Sequence, residues 1–349
     1  MQRDRTVEPP QARPGRQADP LADAAIRLFA LAGTDALGHG VARHLGLTLS
    51  RHEERDFEDG EHKTRALDPV CGADVYLLHS LHGDAAGSAN DRLCRLLFFI
   101  GACKDAGAAR VTAIAPYLCY GRKDRRTKPN DPVTTRYVAT LFEAVGTDRL
   151  VTMDVHDEAA FENAFRRRTV ALTAVPLLVA SIRSLTADAG RLCVVSPDLG
   201  GGKRAERLRG ALEEATGRPV GTAFAEKHRS GGQVSGDLFV GDVAGATCIV
   251  IDDMVSTGGT LARAARAARG GGARQVVACV THGLFSAGAE TVLAEPAIDR
   301  ILMTDTVPPV RLPDGPARRK LEVVSAAPLF AEAIRRLHRD LPLSDLFVF

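Results

Sequence analysis

The residues best suited to chemistry lie within 249–260, where an apolar run leads into two acids and then a Gly-rich segment. Asp252 and Asp253 end the apolar run, and two carboxylates at the end of a buried strand suit the vicinal hydroxyls of a sugar, directly or through a divalent metal. The next residues suit an anion, because glycines let backbone amides approach a phosphate, hydroxyls add donors, and a following helix presents its positive end. These residues are Ser256, Thr257, Gly258, Gly259 and Thr260. The segment predicts a sugar-phosphate site, and an ordinary strand-turn-helix junction is the structural alternative.

This segment resembles the phosphoribosyl-pyrophosphate (PRPP) loop shared by phosphoribosyltransferases and PRPP synthetases. Further motifs favour the synthetases, because similar blocks occur in the same order in ribose-phosphate pyrophosphokinases. The matching blocks are residues 103–108, 116–125, 152–156, 196–198, 200–204, 227–229 and 241–243. The resemblance covers roughly residues 26–338, which is nearly the whole chain.

The resemblance implies a ribose-phosphate diphosphokinase, which transfers the β,γ-diphosphoryl group of ATP to the C1 hydroxyl of D-ribose 5-phosphate with Mg²⁺ and yields PRPP and AMP. A non-catalytic paralogue that regulates a true synthetase is one alternative, and loss of Lys227, Arg229 or His156 would have favoured it. A phosphoribosyltransferase that consumes PRPP is the other, and such an enzyme lacks the ATP segments described below. Because family members commonly form dimers or hexamers, the resemblance also implies a homo-oligomer.

The composition favours a soluble enzyme with two domains. The chain has 349 residues, of which 45% are apolar, and this length exceeds the usual size of a single core. A net charge of +2 gives no global field that would favour nucleic acid or a membrane surface, and no segment has the apolar length of a membrane helix. The seven cysteines are scattered without a CxxC pair, which is typical of reduced thiols in a cytoplasmic protein.

The order of apolar patterns predicts the fold class. After a polar stretch that predicts a flexible tail over residues 1–24, β-like and helical segments alternate. Strands are predicted at 75–79, 111–117, 150–156, 192–196, 248–251 and 276–282, and helices near 90–106, 134–145, 203–216 and 261–269. Such alternation predicts an α/β fold with parallel sheets covered by helices. The resemblance implies two similar phosphoribosyltransferase-type domains, which we expect over residues 25–170 and 171–349.

One segment is assigned to ATP by the resemblance alone. It contains Phe57, Asp59, Gly60 and Glu61, which the family match assigns to the adenine base and its surroundings. Phe57 is expected to stack on adenine, and the two acids to supply carboxylate or backbone contacts. A polar turn after a strand is the structural alternative.

A second candidate for ATP is the basic loop that contains Arg122 and Lys123. Arg122 can bind a triphosphate through forked, charge-assisted donors. A solvated loop or a nucleic-acid patch is the alternative, and Asp124 together with the flanking apolar strand favours a local phosphate site. Most family members carry Gln at the position of Lys123, and this departure leaves the nucleotide preference open.

The resemblance also assigns a metal site and a catalytic loop. A lone His at a strand end is more often structural than a ligand, but the family match assigns His156 to Mg²⁺ together with Asp198. Lys227 and Arg229 lie in a polar, Gly-rich stretch, residues 226–236, whose structural alternative is an exposed hairpin. The family match makes these cations stabilise the charge that grows on the transferring diphosphoryl group as a lid closes and excludes water.

Overall fold

The computed structural model of the protein describes residues 25–186, 190–230 and 233–347, and the side chains of residues 226–238 lie outside this description. The predicted tail over residues 1–24 also lies outside the described residues. Two largely parallel sheets flanked by helices organise the described chain. The α/β fold predicted from the alternation of strands and helices is therefore confirmed.

The first sheet and a separate hairpin come from residues 25–172 of the described chain. In chain order the strands are β1 (Ile26–Ala30), β2 (His52–Asp56), β3 (His62–Ala66), β4 (Asp74–Leu78), β5 (Arg110–Ala115), β6 (Arg149–Met153) and β7 (Arg168–Leu172). The helices between them are α1 (Asp35–Leu45), α2 (Ala89–Asp105), α3 (Thr134–Ala144) and α4 (Glu158–Ala164). The sheet is parallel throughout, in the order β1-β4-β5-β6-β7, while β2 and β3 pair with each other. β4, β5 and β6 are buried along their whole length, as apolar strands of a parallel sheet are.

The second sheet comes from residues 192–324. Its strands are β8 (Leu192–Ser196), β9 (Val220–Ser230), β10 (Gln233–Val240), β11 (Thr247–Val255), β12 (Gln275–Gly283), β13 (Arg300–Thr304) and β14 (Leu321–Val324). The later helices are α5 (Val175–Leu185), α6 (Gly202–Thr216), α7 (Gly259–Gly270), α8 (Ala289–Leu293), α9 (Pro316–Arg319) and α10 (Ala327–His338). The order is β10-β9-β8-β11-β12-β13-β14, with β10 antiparallel to β9 and the other neighbours parallel.

Two helices cross between the sheets. α5 follows the last strand of the first sheet but packs on α6, and α10 follows the last strand of the second sheet but packs on α1. Apolar residues of all four helices, such as Val41, Leu178, Leu208 and Ile334, belong to one buried cluster. The exchanged helices therefore tie the two sheets together.

A buried polar cluster fixes α10 at the amino ends of the first sheet's strands. Asp74, which is fully buried, accepts hydrogen bonds from Arg110 Nε at 2.9 Å and from His338 Nδ1 of α10 at 2.8 Å. Arg149 Nη1 donates to the carbonyl of Leu337, also in α10, at 2.7 Å. A buried carboxylate is tolerated only when such partners surround it, so this cluster specifies where α10 docks.

One departure from the predicted elements lies in β11, which continues to Val255 although its apolar run ends at Ile251. Polar residues weaken a strand prediction, but backbone pairing with β12 extends the strand beyond Asp252 and Asp253. The domain limits near residues 170 and 171 stay a prediction.

Among the described residues, no helix is long and apolar enough to span a membrane.

Candidate active site

The predicted phosphate residues form the connection between β11 and α7. They are Ser256, Thr257, Gly258, Gly259 and Thr260. Gly258 has a φ of +82°, and a Cβ added there would lie 2.9 Å from Leu293, so only glycine fits. No described side chain caps the start of α7, and its first backbone amides are open to an anion. Ser256 Oγ shares a hydrogen bond of 2.7 Å with Ser286, which braces the loop.

The acid pair lies just before this loop, and cations from two other elements face it. His156 Nδ1 lies 2.9 Å from Asp253 Oδ2, although His156 follows the first sheet and Asp253 belongs to the second. The guanidinium of Arg204, in the first turn of α6, lies 3.5 Å from Asp252 and 3.8 Å from Asp253. The structure thus gathers predicted site residues from both sheets around one point.

The electrostatics of the pair follow from burial and these neighbours. Burial and the adjacent Asp253 raise the pKa of Asp252 above its usual range. Burial acts in the same direction on Asp253, but the hydrogen bond to His156 and the charge of Arg204 outweigh it and hold the pKa of Asp253 low. The same hydrogen bond raises the pKa of His156. One carboxyl of the pair is therefore held as an anion beside the imidazole of His156, while the other takes up a proton readily.

His156 reaches this point through an unusual turn after β6. Asp154 has a φ of +38°, a left-handed conformation that is uncommon for a residue with a side chain. Its carboxylate is buried and accepts hydrogen bonds from the Ala174 amide at 3.0 Å and from Thr281 Oγ1 at 2.5 Å. Asp154 therefore shapes the turn, and the imidazole of His156 is the group that this turn presents.

Asp198 follows β8 and shapes the loop that leads into α6. Its Oδ1 accepts the Gly201 amide at 2.9 Å, and its side chain is exposed. His156 lines a cleft of about 480 Å³ that Gly200, two residues after Asp198, also lines. Within the described part of the chain, no three His, Cys, Asp or Glu side chains lie close enough to hold a metal ion by themselves. One imidazole and one exposed carboxylate still suit Mg²⁺, which keeps most of its shell as water and substrate oxygens.

The segment assigned to adenine is the tip of the β2–β3 hairpin. Phe57 is 40% exposed, with the Arg55 guanidinium 5.1 Å from its ring centre. The Glu61 amide donates to Asp59 Oδ1 at 3.1 Å, and Gly60 turns the chain with a φ of +89°. None of the hydrogen bonds or ion pairs among the described residues joins this tip to the acid pair.

The basic loop after β5 lies within electrostatic range of the site. The negative charge of Asp124 contributes to the raised pKa of His156. Burial raises the pKa of the Tyr117 hydroxyl, which the charge of Arg122 lowers and the charge of Asp253 raises. Lys123 Nζ lies 3.8 Å from Asp131 and is half exposed. The charges of the Arg122 loop therefore influence the same residues as the acid pair does, His156 and Tyr117.

Lys227 and Arg229 lie on β9, which pairs with β10. The backbone of Lys227 is opposite Asp237 and that of Arg229 is opposite Val234, with an irregularity between these pairs. Their side chains lie outside the described residues, so their predicted contact with substrate stays a prediction.

Sequence reasoning assigned no role to Arg204 or Thr281. The signal for Arg204 is its place in the first turn of a helix, where the helix dipole disfavours a cation and an opposing acid must compensate. Thr281 carries no such signal, because a threonine inside an apolar strand is ordinary. Only the fold brings it to Asp154.

The chain matches two family models, one in each half of the chain. One, described as the N-terminal domain of ribose phosphate pyrophosphokinase, matches residues 26–146. The other, described as the phosphoribosyl synthetase-associated domain, matches residues 235–348.

Whole proteins of the same name are similar over nearly their full length. A ribose-phosphate pyrophosphokinase of Clostridium perfringens is 36% identical, across 92% of this chain and 97% of that protein. One from Caldanaerobacter subterraneus is 37% identical, across 92% and 98% respectively. The crystal structure of phosphoribosylpyrophosphate synthetase from Mycobacterium smegmatis superposes with a TM-score of 0.81 at 34% identity, covering 90% of this chain and 99% of that one.

Proposed function

The chain belongs to the ribose-phosphate pyrophosphokinase family, and we propose how its residues divide the work of that reaction. As a member, it is an ATP-dependent diphosphotransferase that transfers the β,γ-diphosphoryl group of ATP to the C1 hydroxyl of D-ribose 5-phosphate, yielding PRPP and AMP. One observation carries the assignment of sites. The acid pair at the end of β11, just before the uncapped start of α7, meets His156, which follows the first sheet.

Ribose 5-phosphate binds at the end of β11. Asp252 and Asp253 accept hydrogen bonds from the ribose hydroxyls, because carboxylate oxygens can accept several donors at once. The 5-phosphate lies against the loop from Ser256 to Thr260, where open amides and hydroxyls donate to it. This arrangement fixes the orientation of the substrate, because the acids repel its phosphate and the start of α7 attracts it.

ATP binds on the side of the first sheet. Arg122, whose charge acts on the pKa of Tyr117 as that of Asp253 does, is suited to the triphosphate, with Lys123 beside it. Phe57 offers an exposed aromatic face for adenine, with Asp59, Gly60 and Glu61 around it. No hydrogen bond or ion pair among the described residues joins the hairpin tip to the acid pair, and we propose that a homo-oligomer, a dimer or a hexamer, completes each ATP site with a hairpin from another subunit.

Mg²⁺ is the cofactor that this chemistry requires, since it neutralises the charge on the diphosphoryl group that moves. His156 and Asp198 would hold it with waters and phosphate oxygens. Lys227 and Arg229, on β9, would stabilise the charge that builds as the C1 hydroxyl attacks the β-phosphorus and AMP leaves. The family resemblance supports these last two roles.

The protein works in a reducing compartment, which we propose to be the cytoplasm. All seven cysteines are free, and five of them lie in β8, β11, β12 or α2. No disulfide framework is therefore needed to hold the fold.

A phosphorus NMR experiment tests the proposed function. Purified protein is incubated with ATP, Mg²⁺ and ribose 5-phosphate, and we expect AMP and PRPP to appear in equal amounts without ADP. Asp253→Asn, which keeps the size of the side chain but removes its charge, should make neither product at a comparable rate. Consumption of PRPP in the presence of a purine or pyrimidine base, without use of ATP, would identify a phosphoribosyltransferase instead. A folded protein that makes no product would identify a non-catalytic paralogue.

A further inference from the structure

The side chains of two adjacent residues of β12, in the second sheet, form hydrogen bonds with the end of β6, in the first sheet. Thr281 Oγ1 donates to Asp154 Oδ2 at 2.5 Å, and His282 Nε2 donates to the carbonyl of Met153 at 3.0 Å. The four residues are at least nine-tenths buried, so these polar groups are shielded from water. Hydrogen bonds in such surroundings are costly to break, because the freed groups have no solvent to replace the partner.

The residue that Thr281 holds is the one with the unusual backbone. Asp154 has a φ of +38°, and such a conformation persists only where the surroundings fix it. Its amide donates to the Leu172 carbonyl at 2.8 Å, and its carboxylate accepts from Ala174 and from Thr281. The contacts with Leu172 and Ala174 involve β7 and the residues just after it. Of these three contacts, the one with Thr281 links the turn to the second sheet.

The same turn is held at a second point by the neighbouring strand. In the parallel pairing of β11 with β12, Asp252 lies opposite Val280 and Met254 lies opposite His282. Asp253 and Thr281 are therefore at the same level of the sheet. Asp253 holds His156, and Thr281 holds Asp154 two residues earlier.

We propose that Thr281 is a positioning residue for His156, acting through Asp154. This inference rests on the proposed function, in which His156 serves the metal and ATP while Asp253 serves the ribose. By fixing the turn before His156 to the sheet that carries Asp253, Thr281 sets the distance between the groups that hold the two substrates. A small error in that alignment lowers the rate of group transfer much more than it lowers the binding of either substrate.

The test compares Thr281→Val, which removes the hydroxyl at constant shape, with Thr281→Ser, which keeps it. Thr281→Ala removes the hydroxyl without placing a methyl group against the carboxylate, and it should agree with Thr281→Val. Thr186→Val is the matched control, because Thr186 is equally buried but its hydroxyl donates to Ile182 within α5, away from the cleft. Thermal melting confirms that each variant is folded.

We expect kcat to fall about ten- to a hundredfold in Thr281→Val and Thr281→Ala, the factor that corresponds to one lost hydrogen bond to a charged group. KM for each substrate should change much less, and Thr281→Ser should recover most of the rate. Hydrogen exchange of the ligand-free protein gives an independent reading. The backbone amides of residues 154–157 should exchange at least about tenfold faster in Thr281→Val but not in Thr186→Val.

An unchanged kcat in folded Thr281→Val, or an equal loss in Thr281→Ser or Thr186→Val, would overturn the inference. Unchanged exchange at residues 154–157 would do the same without reference to activity. Failure of the wild-type protein to make PRPP would contradict the proposed function instead, and the exchange measurement would still decide whether Thr281 fixes the turn.

Discussion

Replacing Arg204 with Met should weaken the binding of ribose 5-phosphate and leave the binding of ATP nearly unchanged. Arg204 extends from the first turn of α6 to both acids, at 3.5 Å from Asp252 and 3.8 Å from Asp253. Methionine keeps much of the length of the side chain but brings no charge. The two carboxylates would then repel each other, and one would take up a proton or rotate away from the sugar.

The size of the effect follows from the burial of the three side chains. Those of Arg204 and Asp252 are 16% and 18% exposed, and that of Asp253 is 4% exposed. Breaking a well-buried ion pair costs about 3–5 kcal/mol. The contacts here are longer than a direct hydrogen bond, and Asp252 takes up a proton readily because burial raises its pKa. We therefore expect a loss of about 1–3 kcal/mol, which is roughly five- to 150-fold in affinity.

Calorimetric titration of each substrate into wild-type protein and Arg204→Met measures this loss. Arg209→Met is the matched control, because Arg209 lies on the same helix and pairs with Glu206 and Glu213 away from the acids. Arg204→Lys, which restores one positive charge, should recover part of the affinity. Equal losses for ATP and ribose 5-phosphate, or an unchanged affinity for both, would refute the role of Arg204 at the acid pair.

Three further changes test other parts of the structure. Arg110→Met leaves Asp74 buried without its guanidinium and should lower the free energy of unfolding by about 3–5 kcal/mol in urea titrations; a loss under about 0.5 kcal/mol would contradict this. Asp252→Asn should raise the melting temperature of the substrate-free protein at pH 8 while removing activity. This gain should shrink at pH 5, because the raised pKa of Asp252 favours the protonated carboxyl in the folded state and stability is lost as pH rises towards that pKa; a gain independent of pH would argue against this cause. Lys227→Ala should reduce turnover by about two to three powers of ten with a much smaller change in KM, and a normal kcat would remove Lys227 from the mechanism.

The inner strands of both sheets, β4, β5 and β6 in the first and β8, β11 and β12 in the second, were predictable because they contain continuous apolar runs. β4, β5 and β8 are buried on both faces, and their mostly apolar residues indicate this burial. The packing of α5 on α6 and of α10 on α1 was not predictable in this way, because the pattern of an amphipathic helix does not specify which sheet it packs on. The hairpin of β2 and β3 was also missed as a pair of strands, because its residues are mostly polar and its pairing depends on the partner strand.

A candidate site could be proposed from the sequence where one segment carries the chemistry. The run from Asp252 to Thr260 joins acids, glycines and a helix start within a few residues, and local sequence is sufficient to identify it. The contacts of Arg204 and Thr281 depend on long-range packing, which places α6 against β11 and β12 against the end of β6. No local pattern around either residue could have specified these partners.

The binding of each substrate to Thr260→Val tests the central claim, that the end of β11 is a dedicated site for ribose 5-phosphate. The variant removes a hydroxyl from the first turn of α7, and a lost hydrogen bond to a charged group costs about 1.5–3 kcal/mol, roughly ten- to a hundredfold in affinity. Thr216→Val, whose hydroxyl donates to Leu212 at the end of α6, is the matched control. Calorimetry should show a loss of this size for ribose 5-phosphate in Thr260→Val and an affinity for ATP close to that of the wild type. An equal loss for both substrates, or none for ribose 5-phosphate, would contradict the account.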